Sequence, residues 1–230
     1  MGGAIRLEAV SHRYGEREVL SGVDLTLTQR RIGIVGANGS GKSTLARMLN
    51  GLVLPSRGRV LVDGLDTRRD GPAVRRRVGF VFSDPDAQIV MPTVAEDVAF
   101  SLRRSGLRRA ERDERVHATL ERFGLGGHGD HPAHLLSGGQ KQLLALASVL
   151  VTEPDVLVCD EPTTLLDARN ARSVAGLLAE LPQQVVLVTH HLGQLSGFDR
   201  VLVVDRGRVV ADDAPGPALA AYERLLDDPA

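Results

Sequence analysis

The chain has 230 residues, of which 43% are hydrophobic, and its 28 basic residues nearly balance 29 acidic ones. This length suits one domain with a sizeable core, and a formal charge of −1 argues against attraction of nucleic acid or anionic lipid by the overall field. No run approaches the ~18 apolar residues that span a bilayer, and the first residues lack an apolar secretory segment, so we expect a cytoplasmic protein. The single cysteine, Cys159, excludes an internal disulfide and a multi-cysteine metal site.

Strands that alternate with helices are predicted along the chain, which indicates an α/β fold with a mostly parallel sheet covered on both faces. The predicted strands are 4–10, 19–27, 31–35, 59–62, 78–82, 156–160, 185–189 and a hairpin of 201–205 with 208–210. The predicted helices are 43–50, 93–123, 137–152, 167–181 and 217–226. We expect a single domain over residues 1–230, with a helical subdomain of about 84–152 inserted into the sheet.

Residues 36–43, GANGSGKS, fit the pattern G-x-x-x-x-G-K-[ST] at every fixed position, between a predicted strand and a predicted helix. The glycines let successive backbone N–H groups turn toward one anion, and the helix N-terminus adds the positive end of its dipole. Lys42 supplies a point charge for the β- and γ-phosphates, and Ser43 supplies an oxygen ligand for Mg²⁺. A glycine turn that only caps a helix is the alternative, which this context disfavours. The pattern therefore predicts a nucleotide site.

The apolar strand 156–160 ends in two carboxylates, Asp160 and Glu161. Asp160 is suited to hold Mg²⁺ through water, and Glu161 is suited to polarise an attacking water as general base. Two acids after a strand can also form a solvated turn, an alternative that the phosphate loop weakens. Cys159 alternates to the opposite face from Asp160 and is predicted to belong to the core.

Residues 136–140, LSGGQ, are compatible with an ordinary helix start. Ser137 and Gln140 fit a capping box, as Thr93 and Glu96 do, and the intervening glycines expose backbone N–H groups. In a chain that also has a phosphate loop and an Asp-Glu strand end, the same residues predict a second phosphate-binding edge.

Together these motifs resemble the nucleotide-binding subunit of an ATP-binding-cassette (ABC) transporter over essentially the full chain. The resemblance implies a P-loop NTPase fold of the ABC type, with an N-terminal antiparallel β subdomain and the inserted helical subdomain. It implies ATP and Mg²⁺ as cofactors, and ATP hydrolysis coupled to transmembrane transport as the activity. The site residues that it implies are Glu161 and His190 for catalysis, Ser43 and Asp160 for Mg²⁺, Asp167 in the D-loop 164–167, Ser137, Gly138, Gly139 and Gln140 in the signature motif, and Tyr14, Gly36, Ala37, Asn38, Gly39, Ser40, Gly41, Lys42, Ser43 and Thr44 for ATP.

The same resemblance implies two subunits, identical or homologous, that pair head to tail. Each ATP would lie between Lys42 of one subunit and the signature residues 137–140 of the other. Tyr14 would stack on adenine, His190 would contact the γ-phosphate and Asp167 would link the two sites. The further implied partners are integral membrane transporter subunits, with the chain peripheral at the cytoplasmic face of the membrane.

Residues 82–88, FSDPDAQ, and 92–100, PTVAEDVAF, resemble the ATPases of energy-coupling-factor importers, which take up vitamins, cobalt or nickel. A chain that ends near residue 230 resembles the biotin-type ATPase. The family usually has glutamine where this chain has Ser83, and Gln88 is the only glutamine nearby, so both are candidates for the Q-loop position. The family also has arginine where this chain has Leu143, which removes an anchor for the signature helix.

Several other patterns have plainer interpretations. Residues 124–129 fit the dinucleotide pattern G-x-G-x-x-G but precede no predicted helix, so we expect a loop. His128, His131 and His134 surround Pro132, which breaks the helix that would align them on a metal. The arginines between 103 and 115 are interleaved with acidic residues, which favours a solvated helix face over nucleic-acid binding.

Two alternatives to a transporter remain at the level of sequence. One is a soluble ABC ATPase that acts on nucleic acid or ribosomes, and the chain has neither the long coiled coils nor the second cassette of those relatives. The other is a regulatory cassette that does not hydrolyse ATP, which Glu161 and His190 disfavour. We therefore expect no nucleic-acid partner.

Overall fold

The structure is a computed structural model that describes residues 4–227 and comprises two compact units. The first consists of the described parts of Met1–Phe80, Asp155–Glu161 and Leu178–Ala230, and the second of Val81–Pro154 and Pro162–Leu177. The predicted helical subdomain of about 84–152 falls inside the second unit, and its limits stay a prediction.

The strands and helices follow one another in the order that the sequence predicts, with two additions. The strands are β1 Ile5–Tyr14, β2 Arg17–Leu27, β3 Arg31–Val35, β4 Arg57–Val62, β5 Leu65–Asp66, β6 Val78–Val81, β7 Val156–Asp160, β8 Gln184–Val188, β9 Arg200–Asp205 and β10 Arg208–Asp213. The α-helices are α1 Lys42–Leu49, α2 Gly71–Arg77, α3 Val94–Ser101, α4 Arg109–Arg122, α5 Gly138–Leu150, α6 Ala168–Glu180 and α7 Pro215–Asp227.

The N-terminal strands form a four-stranded antiparallel sheet in the order β2-β1-β4-β5. Ile5 on β1 is paired with Leu27 on β2 and Val62 on β4, and all three side chains are buried. The alternation of buried and exposed residues along β1 is the pattern of a sheet with one solvated face. The predicted antiparallel β subdomain is therefore confirmed.

The second sheet has six strands in the order β10-β9-β3-β8-β7-β6. The strands β9, β3, β8 and β7 run parallel, and β10 is paired antiparallel with β9 at one edge. Every residue of β3, β7 and β8 is buried, as expected for parallel strands with both faces covered. The carboxyl ends of β3 and β7 therefore face the same edge of the sheet, with only β8 between them, and this brings the phosphate loop near the Asp-Glu pair.

Helices α3, α4 and α5 pack against one another in the second unit. Both predicted capping boxes are present, Thr93 with Glu96 before α3 and Ser137 with Gln140 before α5. None of the helices between residues 4 and 227 is long and apolar enough to cross a bilayer.

The helical stretch predicted over 93–123 is interrupted, because the chain leaves the helix between α3 and α4. Gly106 lies in this break with φ of 75°, a conformation that glycine adopts at little cost. Sequence analysis also missed α2 and the two-residue strand β5. Helix α2 has seven residues and ends in three arginines, which is too short for a readable apolar period.

The interpretation of Cys159 as a core residue is confirmed. Its side chain is fully buried in β7, and burial raises the pKa of the thiol well above its ordinary value. A thiol kept protonated in this way is a packing group rather than a nucleophile.

Candidate active site

The phosphate loop connects β3 to the first turn of α1. Gly41 occupies the N-cap position with φ of 107°, and a Cβ atom there would lie 2.7 Å from the carbonyl oxygen of Val19, so only glycine fits. No side chain caps α1, and its first N–H groups have no partner within the helix. The Oγ atom of Ser40 is buried and has no hydrogen-bond partner among residues 4–227. The loop therefore offers several donors to an anion.

Lys42 is the cation of this loop. Its side chain is buried, and its Nζ atom donates a hydrogen bond of 2.8 Å to the carbonyl oxygen of Ala37. Burial lowers the pKa of Lys42, while the negative charges of Glu161 and Asp160 act in the opposite direction. A cation held among carbonyl and carboxylate groups is suited to move onto a phosphate oxygen.

An open cavity of about 240 Å³ extends from the phosphate loop to the end of β1. Tyr14 lines this cavity with 52% of its surface exposed, and the ring of His12 contacts it edge-on at a centroid distance of 4.5 Å. An exposed aromatic ring beside a phosphate-binding loop is suited to stack on a nucleobase. Besides Tyr14, the lining residues are Arg17, Val19, Gly39, Gly41, Lys42, Ser43 and Thr44. Sequence analysis missed Arg17 and Val19, which belong to no motif.

Ser43 and Asp160 meet at the point where α1 begins and β7 ends. The hydroxyl of Ser43 donates a hydrogen bond of 2.8 Å to Oδ1 of Asp160, and the guanidinium of Arg47 lies 3.5 Å from Oδ2. Burial raises the pKa of Asp160, and the Ser43 hydrogen bond and the Arg47 charge counteract this effect. A hydroxyl and a carboxylate in contact are oxygen ligands of the kind that Mg²⁺ prefers, so the pair fits this metal.

Glu161 follows Asp160 directly and has a constrained backbone. Its φ is 52°, in the left-handed region that few non-glycine residues adopt, and its N–H donates a hydrogen bond of 2.9 Å to the carbonyl oxygen of Val188. Nδ1 of His190, just beyond β8, lies 3.3 Å from Oε2 of Glu161. Strand pairing therefore places the two residues that sequence analysis named as catalytic in direct contact.

The second unit holds the signature residues 137–140 at the start of α5. The N–H of Ser137 donates to Oε1 of Gln140 at 2.9 Å, and the N–H of Gln140 donates to Oγ of Ser137 at 3.3 Å. Ser137 and Gly138 are exposed. This capping box leaves an accessible helix start with glycine N–H groups, as a phosphate-binding edge requires.

Asn170, which was not predicted from the sequence, contacts both Asp167 and the start of α5. The Asn170 side chain donates a hydrogen bond to Oδ2 of Asp167 at 2.9 Å. A Cβ atom on Gly139 would lie 2.6 Å from Cγ of Asn170. The backbone N–H of Asn170 also donates to Asp167, which lowers the pKa of this carboxyl. Asn170 thereby connects the D-loop residue with the signature loop.

Ser83 and Gln88, the two candidates for the Q-loop position, differ in their surroundings. Ser83 follows Phe82 and is half-buried. The side chain of Gln88 accepts a hydrogen bond from the N–H of Phe82 and donates one to the carbonyl oxygen of Ala145, both at 3.3 Å. Gln88 is therefore engaged with backbone groups of its own unit.

The histidine-rich loop also has internal contacts. Residues 126–128 form a short 3-10 helix after α4, as expected for a loop. Nε2 of His128 lies 3.2 Å from Nε2 of Gln140, and its ring contacts that of His131 edge-on. Among residues 4–227, no group of three or more His, Cys, Asp or Glu side chains is placed to hold a metal ion.

The site residues are thus distributed over both units. The first unit brings together Tyr14, residues 36–44, Asp160, Glu161 and His190. The second unit holds Ser83, Gln88, the signature residues 137–140 and Asp167.

Comparisons with known proteins agree with this arrangement. Residues 20–164 match the protein family described as ABC transporter. The chain is 45% identical to a biotin transport ATP-binding protein, BioM, of Rhizobium etli, over 96% of this chain and 98% of that protein. It is 44% identical to an energy-coupling factor transporter ATP-binding protein, EcfA1, of Symbiobacterium thermophilum, over 95% of this chain and 82% of that protein. The solved structure of cbiO1 from Clostridium perfringens, part of the ABC transporter complex cbiONQ, superimposes with a TM-score of 0.84 at 32% identity, over 99% of this chain and 94% of that one.

Proposed function

We propose that this chain, which belongs to the ABC transporter family, is the ATP-hydrolysing subunit of an energy-coupling-factor importer for a vitamin such as biotin or for cobalt or nickel. The observation that carries the nucleotide-hydrolysing part of the proposal is the contact between Ser43 and Asp160 at 2.8 Å, which joins the phosphate loop to the carboxylate pair. The ATPase activity follows from the family. The choice of importer rests on the resemblance of residues 82–100 to these ATPases and on the names of the relatives.

In this proposal the phosphates of ATP lie on the N–H groups of residues 36–44. Lys42 exchanges its bond to Ala37 for one to the β- and γ-phosphates, and the Ser40 hydroxyl gains the partner that it lacks. Ser43 and Asp160 would hold Mg²⁺, which neutralises phosphate charge when it is bound. Adenine stacks on Tyr14, at the far end of the same cavity.

Hydrolysis would require one proton transfer and one positioned water. Glu161 accepts a proton from the water while the water oxygen forms a bond to the γ-phosphorus and the bond to the β-phosphate oxygen breaks. His190 lies against the same carboxylate and fixes its orientation. His190 would also contact the γ-phosphate when two subunits close on ATP. A second subunit would supply its own signature residues 137–140 to the other side of the ATP, with Asp167 linking the two sites.

The membrane partner would bind the second unit. A groove of about 300 Å³ opens between residues 86–92 and the turn at 133–134. Val90, which lines the groove, and Leu135, which directly follows its residues 133–134, are each 63% exposed. Exposed apolar side chains grouped in this way mark an interaction surface. An apolar segment of an integral membrane subunit fits this surface, so we place the chain peripherally at the cytoplasmic face of the membrane.

The test is a pull-down of the tagged full chain from detergent-solubilised membranes, with Met91→Arg compared against His117→Arg. Met91 lines the groove, whereas His117 is exposed on α4 outside it, and both variants introduce an arginine. We expect an integral membrane protein to co-purify with the unmodified chain and with His117→Arg, and at least tenfold less of it with Met91→Arg. Basal ATP hydrolysis should persist in both variants. Recovery of RNA or ribosomes in place of a membrane protein, lost at raised salt, would favour the soluble alternative.

We expect Tyr14→Ala to weaken ATP binding about tenfold, because stacking one base on an aromatic side chain contributes about 1–3 kcal/mol. Tyr14→Phe keeps the ring and should bind ATP almost normally. Since stacking discriminates poorly between purines, GTP should displace a fluorescent ATP analogue from the unmodified protein. Titration with the analogue measures all three, and an unchanged affinity in Tyr14→Ala would refute the stacking role.

A further inference from the structure

The carboxylate of Asp97, on α3, is buried and accepts three hydrogen bonds. Its Oδ1 accepts from the backbone N–H groups of Val90 at 2.9 Å and Met91 at 3.1 Å, and its Oδ2 accepts from the hydroxyl of Ser148 at 2.7 Å. Among the described residues none of the ion pairs includes Asp97. A buried carboxylate without a counter-ion is stable only when its hydrogen bonds are made, so these three bonds fix the geometry around it.

The partners of Asp97 belong to two functional parts of the second unit. Val90 and Met91 line the groove that we assign to the membrane partner. Ser148 lies on α5, the helix whose first residues form the signature motif. Asp97 therefore joins residues 86–91, which we call the docking segment, to helix α5 through one side chain.

Two further contacts connect the same parts. Nζ of Lys141 lies 2.7 Å from Oδ1 of Asp86, and the side chain of Gln88 bridges the N–H of Phe82 and the carbonyl oxygen of Ala145. Lys141 and Ala145 are residues of α5, while Asp86 and Gln88 precede Val90 in the docking segment.

The three attachment points on α5 share one face. Lys141, Ala145 and Ser148 are spaced i, i+4 and i+7, which places them above one another along the helix. The segment 86–91 is thus connected to this face at three successive turns, directly at Lys141 and Ala145 and through Asp97 at Ser148. Hydrogen bonds and an ion pair at successive turns form a contiguous network of the kind that can carry coupling between two sites.

We propose that segment 86–91 and helix α5 form one rigid coupling unit with Asp97 as its buried positioning residue. A displacement at the groove then moves the signature residues 137–140, and closure of these residues on ATP displaces the residues that line the groove. The inference rests on the proposed function, because it requires ATP to engage the signature residues.

The absence of tryptophan from the sequence permits a direct test. Val90→Trp places a single tryptophan at an exposed position of the segment, and Glu161→Gln in the same chain prevents turnover. We expect ATP to shift the emission of this parent protein. Ser148→Ala, added to the parent, should reduce the shift at least twofold while ATP affinity stays within twofold.

Conservative and matched variants separate coupling from folding. Ser148→Thr keeps the hydroxyl and should restore the shift, and Asp97→Asn keeps the shape but weakens the bonds and should reduce it. Ser101→Ala is the control, since the same change on α3 does not involve Asp97. Thermal unfolding identifies any variant that loses its fold, and Ser148→Ala, which removes one hydroxyl, tests the inference even if Asp97→Asn unfolds.

The outcomes distinguish this inference from the proposed function. A parent protein that does not bind ATP would overturn the proposed function. A parent that binds ATP but does not pair, as size-exclusion chromatography with ATP shows, would overturn the proposed pairing of subunits. A parent that binds ATP and pairs without a shift, or a full shift in Ser148→Ala and Asp97→Asn, would overturn the coupling unit alone.

Discussion

Glu161→Gln is expected to lower ATP turnover by at least about 100-fold while ATP still binds, since a positioned general base contributes about 10²–10⁴ in rate. Glutamine has the size of glutamate but its amide cannot accept the proton of the attacking water. The backbone around this position is fixed by the left-handed φ of 52° and the bond from its N–H to Val188, so the substitution should not move the loop. Because the bound ATP is not hydrolysed, the closed pair of subunits should accumulate.

Phosphate release in single- and multiple-turnover assays measures the rate, and size-exclusion chromatography with ATP measures the pairing. Glu153→Gln is a matched control, because Glu153 has a similar φ of 51° but is exposed and paired with Arg115. Normal turnover in Glu161→Gln would show that another group takes the proton, and the catalytic assignment would then be wrong. A loss of ATP binding would instead indicate a disturbed loop.

Lys42→Ala should weaken ATP binding itself by about 10- to 100-fold, since a hydrogen bond to a charged group contributes about 1.5–3 kcal/mol. The buried cation is lost, while the glycine-rich backbone and the Ser40 hydroxyl remain as donors. Because burial lowers the pKa of Lys42, ATP affinity of the unmodified protein should fall at a lower alkaline pH than for an ordinary lysine. That alkaline loss should be absent from Lys42→Ala.

Isothermal titration across pH checks both statements. The chain has only one other lysine, Lys141, so Lys141→Ala is the natural control and should bind ATP with nearly normal affinity. Lys42→Arg keeps the charge but not its compact shape, and should bind ATP with intermediate affinity. Near-normal affinity in Lys42→Ala would contradict the assignment of the phosphate loop.

Much of the fold could be predicted because its determinants are local. The glycine spacing of residues 36–43, the capping residues Thr93 and Ser137 and the apolar run of β7 each impose their structure through neighbours a few residues away. The errors arose where the local signal is weak. Helix α2 is too short to show a period, and the break between α3 and α4 contains Gly106 as one isolated signal within a long stretch of helix-forming residues.

The sequence by itself determined the family and most of the order of the strands and helices, and it named the residues that we propose to carry the nucleotide chemistry, because each of these depends on a pattern of adjacent residues. Only the tertiary structure decided which side chains meet. Ser43 and Asp160 are 117 residues apart and Asp97 and Ser148 are 51 apart, and neither contact leaves a periodic trace in the chain. Asn170, Arg17 and Asp97 were not predicted because tertiary packing sets their positions: Asn170 lies against Gly139, Arg17 lines the cavity and Asp97 binds Ser148.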